Sequence, residues 1–173
     1  MPADPSRLRF YADENILGVA KALARVREDL VHPGHPLLPE VPLGTDDTLW
    51  MPEVAKRQLV VLGRDKHIKS KPAELAAFHA QGLRAFWLSG KKDLTSWGKL
   101  VRFVMRWEDI EEQISIRGGG PWFMAINERD VVDIPLHPAK KVRTATTDTP
   151  PATPGGAVAS PEFDFGPEWQ KRR

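Results

Sequence analysis

"RFYADENILG", residues 9–18, runs three strand-forming residues, Phe10, Tyr11 and Ala12, straight into Asp13, Glu14 and Asn15, and an apolar helical pattern begins at Ile16. A buried strand that hands over to a helix has no packing need for two carboxylates and an amide at the junction. Outward from that junction, "LRFYA" (8–12) reads as a short buried strand. Ile16, Ala20, Leu23 and Arg27 then recur at helical spacing, widened by Val19, Ala24 and Val26, which predicts a helix to about Glu28. "DLVHP" (29–33) reads as a second short strand ended by Pro33. Pro33, Pro36, Pro39 and Pro42 make the following stretch a loop.

The alternation continues. A short helix is expected to end near Arg57, with Pro52 as its first residue, where proline is tolerated. "LVVLG" (59–63) is the clearest buried strand, rich in β-branched residues and closed by glycine. "PAELAAFHAQG" (72–82) predicts a helix that starts at Pro72 and stops at Gly82, and "RAFWL" (84–88) is the next strand. Trp97, Leu100, Val101, Val104, Trp107 and Ile114 trace one amphipathic helix from about Thr95 to Ile114. "PWFMAIN" and "VVDIPL" read as terminal strands, a hairpin across "ERD". Such alternation implies an α/β fold of three layers, α/β/α, with a mostly parallel central sheet. This domain is expected over residues 1–137. Residues 138–173 are rich in Pro, Thr, Ala and Gly without periodicity, and read as a disordered tail.

The chain has 173 residues, enough for one domain with a full core. No stretch of about 18 uncharged apolar residues predicts a membrane span. "MPADPSRLRF" lacks an apolar signal region, so a cytoplasmic protein is expected. With no cysteine, disulfides and thiolate metal sites are excluded, and any metal must be held by oxygen or imidazole. The net charge of +2 hides a basic middle: residues 56–106 hold 12 Lys/Arg against 3 Asp/Glu. Acidic stretches flank it, with 5 against 9 over residues 1–55 and 2 against 7 over 107–137. Clustered cations of this kind attract polyanions.

The acids converge on one edge. Asp13 and Glu14 end the first strand, Asp65 lies just past the third, and Asp46 and Asp47 immediately precede the second helix. In a parallel sheet all of these fall at the carboxyl edge, where ligands bind. Carboxylates brought together repel one another, and a hard divalent cation relieves this; Mg²⁺ or Mn²⁺ suits such oxygen ligands. Such an ion activates water and stabilises charge developing on a phosphodiester. Taken singly, the acids have plainer readings: Asp47 as a helix cap, Asp13 as a turn residue, Asp65 as a loop residue.

"YADEN", "GTDDTLW" and "LVVLGRDKHI", in that order, resemble the PIN-domain ribonucleases, especially the small PIN-like proteins of toxin–antitoxin pairs. The resemblance runs from about Arg9 to Ser89 and implies Mg²⁺- or Mn²⁺-dependent cleavage of RNA by an endoribonuclease. Under it, Asp13, Asp47 and Asp65 are the catalytic and metal-binding acids, with Glu14 and Asp46 beside them. Family members often carry a further acid two residues beyond the position of Asp65, and here that residue is His67. An imidazole there is open to three readings: a Mn²⁺ ligand, a phosphate contact, or the mark of a weakened site. Arg64, Lys66, Lys69, Lys91 and Lys92, with Lys71, read as RNA phosphate contacts near the metal. The expected partners are single-stranded or structured RNA, a small antitoxin protein and a second copy of the chain, with no membrane.

Two other classes fit part of the pattern. A receiver-like phospho-acceptor domain pairs acids after the first strand with an aspartate after the third and a lysine after a later one, as Asp13, Glu14, Asp65 and Lys91 do. A catalytically silent RNA- or protein-binding module is the reading that His67 keeps open. Among the remaining residues, His32 and His35 in "HPGH" read as a surface turn rather than a metal pair, and His79 as structural. Trp97 and Trp107 read as core or partner-interface residues on the helical stripe.

Overall fold

The computed structural model describes residues 4–64, 71–90 and 94–135. Its strands are β1 (Phe10–Ala12), β2 (Leu30–Val31), β3 (Val60–Gly63), β4 (Arg84–Leu88), β5 (Trp122–Ile126) and β6 (Val131–Asp133). Its helices are α1 (Leu17–Ala24), α2 (Asp47–Lys56), α3 (Pro72–Ala80), α4 (Ser96–Met105) and α5 (Trp107–Arg117). The strands form one sheet in the order β2-β1-β3-β4-β5-β6, parallel throughout except for the β5–β6 hairpin. The order reverses direction between β1 and β3, and a doubly wound sheet opens its ligand crevice at that switch point, outside the carboxyl ends of the strands.

Both faces of the sheet are covered over β1 to β5, so these strands are apolar on both sides rather than alternating with polar residues. Tyr11, Val61, Ala85, Trp87 and Phe123 pack on one face with Trp50, Met51 and Val54 of α2 and with Leu75 and Phe78 of α3. Phe10, Ala12, Val60, Leu62, Phe86, Leu88 and Met124 pack on the other, with Val19, Ala20 and Leu23 of α1, Phe103 of α4 and Ile110 of α5. This is the three-layer α/β/α architecture that the alternation implies. No helix among the described residues is long and apolar enough to cross a membrane.

Two helices deliver their strands by the same device. After α2 the Gln58 and Leu59 amides donate to the Ala55 and Val54 carbonyls; after α3 the Gly82 and Leu83 amides donate to those of His79 and Phe78. Each is a paired C-terminal motif that needs one left-handed residue, and each is followed by a buried leucine. Gly82 takes that conformation at φ +63 without a side-chain penalty, whereas Gln58 takes it at φ +55 with one.

Several expectations shift. Pro52 lies inside α2 rather than at its start, because the helix begins at Asp47; its missing N–H leaves the Thr48 carbonyl without the usual helical donor. The α1 helix ends at Ala24, short of Glu28, and Val26 is exposed. The single helix over 95–114 is two, broken at Arg106 (φ −111). Phe103 and Ile110 are fully buried, with Leu100, Trp107 and Ile114 beside them, while Trp97 is 72% exposed and Val101 and Val104 also face out. The apolar residues occupy two adjacent helical stripes, and the buried one is set a turn's fraction away from the one that the spacing favoured. Trp97 is therefore not core; Trp107 is half-buried, edge-on to Phe10 at 5.0 Å. His32 sits within a turn with His35 but is buried rather than superficial, its Nδ1 2.8 Å from the Pro33 carbonyl. His79 packs on Phe123 as a structural residue.

Residues 65–70, 91–93 and 136–173 lie outside the described residues. With them lie Asp65, Lys66, His67, Lys69, Lys91 and Lys92, and the expected tail.

Candidate active site

The carboxyl edge is built from three pieces of chain. Strand β1 ends at Ala12, and Asp13 caps the short 3-10 turn Glu14–Ile16, its Oδ1 accepting from the Glu14 amide at 2.7 Å. Asn15, the amide of the opening motif, ties two strand ends together: its Nδ2 donates to Asp13 Oδ2, and its Oδ1 accepts the Arg64 amide at 2.8 Å. Arg64 thus follows β3 at the switch point, and the turn after β1 is pinned to it. Gly63, the last residue of β3, allows this closeness. A Cβ there would lie 3.3 Å from Trp87 and 3.5 Å from the Asp13 side chain.

The second piece is the proline-rich loop, held down by the fully buried Leu38 and Val41. It returns to the site where the Gly44 amide donates to Glu14 Oε2 at 2.8 Å. The third piece is the start of α2. Asp46 is the N-cap residue but makes no side-chain cap hydrogen bond, and Asp47 is the first helical residue rather than a cap. Asp47 turns back along its own helix instead: its Oδ1 accepts the Trp50 indole N–H at 2.9 Å.

A cavity of about 250 Å³ brings Asp13, Glu14, Asn15, Thr45 and Asp47 together above an apolar floor of Trp50, Met51, Phe78 and Trp87. A neighbouring cavity of about 430 Å³ is lined by Glu14, Thr45, Asp46, Asp47 and, from the start of α3, Lys71 and Glu74. So the structure gathers Asp13, Glu14, Asp46 and Asp47 at one edge. Among the described residues, no group of three or more His, Cys, Asp or Glu is arranged to hold a metal.

Two participants escaped the sequence reading. Glu74, in the first turn of α3, pairs its Oε1 with Lys71 Nζ at 2.8 Å, and its Oε2 is buried with no hydrogen-bond partner among the described residues. Its signal was its place in the first turn of a helix that starts at this edge. Tyr11 looked like core and is core, at 0% exposure, its ring 4.8 Å from that of Trp50. Its hydroxyl is buried without a partner among the described residues. Burial, and then the charges of Asp13, Asp47 and Glu14, hold this phenol well above its ordinary pKa. Tyr11 is thus kept protonated first by its burial and then by the carboxylates near it.

The basic middle segment does not form one surface. Arg57 and Arg84 sit at the opposite, amino edge of the sheet, where Arg57 pairs with Glu40 and Glu53. Arg84 donates to the Gln58 and Gly118 carbonyls there. Arg102 is turned inward to the Ser89 carbonyl at 2.7 Å, and Arg106 pairs with Asp109. Of the described cations in the segment, Lys71 lines the acidic cavities.

No curated protein and no solved structure matches the chain. A family model does: that of a PIN-like domain, over residues 8–90, a span that takes in β1 to β4, the proline-rich loop and the acidic edge. The match supports a PIN-like domain in this chain.

Proposed function

We propose that the protein is a metal-dependent endoribonuclease that acts at the carboxyl edge of β1 and β3. PIN-like domains are generally nucleases and usually use divalent metal ions. The observation that carries the reading is the cavity lined by Asp13, Glu14 and Asp47 at the switch point of a PIN-like sheet. The donor set is chemically suited to Mg²⁺ or Mn²⁺: its carboxylates are hard oxygen donors of one sign. Asp13 and Asp47 would hold the ion, with Asp65 as third ligand and Glu14, Asp46 and His67 near it. When bound, the ion supplies an activated water and stabilises charge on the phosphodiester.

The chain's own groups do the rest. Asn15 fixes the Asp13 carboxylate, and the Trp50 indole fixes that of Asp47, so neither acid must be ordered when ligand arrives. Arg64, Lys66, Lys69, Lys91 and Lys92 meet phosphates along single-stranded or structured RNA. The finer reading is the toxin of a toxin–antitoxin pair, with a small antitoxin protein as partner, in the cytoplasm. A second reading, a silent RNA- or protein-binding PIN-like module, is favoured by one observation: Asp47 is already engaged by Trp50 and Lys71.

Purified protein incubated with labelled single-stranded RNA decides between them. Internal cleavage in Mg²⁺ or Mn²⁺ that stops in EDTA is expected. Binding without cleavage in either metal contradicts the nuclease reading and leaves the silent module.

A further inference from the structure

The two oxygens of Asp47 are treated differently. Oδ1 is taken by the Trp50 indole at 2.9 Å, whereas Oδ2 faces the Lys71 ammonium at 3.8 Å. The same ammonium lies 2.8 Å from Glu74 Oε1, one turn on in the sequence. Lys71 lines both acidic cavities, and its side chain is about half exposed. An ammonium at Oδ2 and a divalent cation bound through Oδ2 exclude one another, because like charges a few ångströms apart repel. Yet an ion pair this accessible contributes little, so a competing anion displaces it readily. Lysine carries a compact charge on a flexible stem and can follow such an anion.

We propose that Lys71 is a positioning residue that occupies Asp47 when no substrate is present and releases it to the cation when an RNA phosphodiester draws the ammonium away. Glu74 supplies the resting place: it is mostly buried, its Oε2 is enclosed, and it holds Lys71 between itself and Asp47. Cation binding and RNA binding are then coupled through one side chain, each tightening the other by the same factor. This inference rests on reading the acidic edge as a cation site.

The test is Mn²⁺ affinity, measured by electron paramagnetic resonance on the full chain, wild type beside Lys71→Met and Lys71→Gln, with circular dichroism melts to confirm folding. Without RNA, both variants should bind Mn²⁺ tighter, on the order of tenfold, because a positive charge has left the site. Adding a phosphorothioate RNA oligonucleotide should tighten Mn²⁺ binding in wild type more than in either variant. Mn²⁺ binding to wild type with equal or weaker affinity in the variants overturns the role of Lys71 and leaves the cation site standing. Absence of binding to all three proteins overturns both.

Discussion

The two ends of this sheet carry opposite charge, and they handle it in opposite ways. At the amino edge, Arg9 reaches Glu111 and Asp29, Arg27 reaches the same two acids, and Arg57 reaches Glu40 and Glu53. These cations are each set against anions, and Arg84 against two backbone carbonyls. At the carboxyl edge, Asp13, Glu14, Asp46 and Asp47 line adjoining cavities with Lys71 as the cation among the described lining residues. Helix dipoles account for the sign at each end. In a parallel α/β sheet the helix N-termini crowd the carboxyl edge and favour acids, while the C-termini crowd the amino edge and favour arginines. Dipoles do not account for the difference in pairing. A network of alternating sign is what stability alone selects. A gathering of carboxylates that outnumbers its cations is the arrangement of a site awaiting a counter-charge.

The amino edge should therefore respond to mutation as structure. Arg84→Ala removes a guanidinium that bridges the carbonyl ends of α2 and α5 and should lower stability by about 1–3 kcal/mol, read by urea unfolding. A loss within about 0.3 kcal/mol would mean that these contacts are ordinary surface and that the contrast between the edges is weaker than drawn.

The carboxyl edge can be read through Tyr11, the chain's one tyrosine. Its phenol is raised above the ordinary value by burial and by three carboxylates, so the folded state holds its proton at pH values where the unfolded chain has lost it. The sign follows: Tyr11 leaves stability untouched below about pH 10, and above it stability falls by about 1.4 kcal/mol per pH unit as the unfolded state ionises. In an alkaline titration followed by phenolate absorbance, the transition should coincide with unfolding. A phenolate step near pH 10 in the still-folded protein would refute the burial and the field together.

The smallest effect separates the twin helix ends. Gln58 holds the left-handed position that Gly82 fills at the end of α3, so Gln58→Gly should raise stability by about 0.5–1 kcal/mol. A thermal melt that moves down instead would show that the Gln58 side chain contributes more than its backbone strain costs.

Much of this was legible in the chain. Strands such as "VVLG" and "RAFWL" announce themselves by β-branched and aromatic runs, and residues that follow a parallel strand or precede the next helix fall at the carboxyl edge by topology alone. Asp13, Glu14, Asp46 and Asp47 could be placed for that reason. What could not be read depends on which side a residue faces. Sequence proximity grouped Arg57 and Arg84 with Lys71, yet the chain crosses from one edge of the sheet to the other between them, and Arg102 and Arg106 are turned to Ser89 and Asp109. Apolar residues on two adjoining stripes of 95–114 left the inward face undetermined, and the break at Arg106 has no proline or glycine to mark it. Tyr11 and Glu74 became visible as site neighbours only once strand β1 and the start of α3 were set against Asp47.

The most direct measurement compares one variant from each edge. RNA cleavage by Asp13→Asn and Arg84→Ala should be assayed in Mn²⁺ at equal concentrations of folded protein. If the carboxyl edge holds the chemistry, Asp13→Asn loses at least about a hundredfold in rate, since a metal-binding carboxylate supplies several kcal/mol to the transition state. Its melting temperature should fall only modestly, because the asparagine keeps one of the two acceptors that Asp13 offers to the Glu14 amide and to Asn15. Arg84→Ala should melt earlier and cut RNA at the wild-type rate. Full activity in Asp13→Asn, with activity lost in Arg84→Ala, would place the chemistry at the wrong end of the sheet and contradict the account.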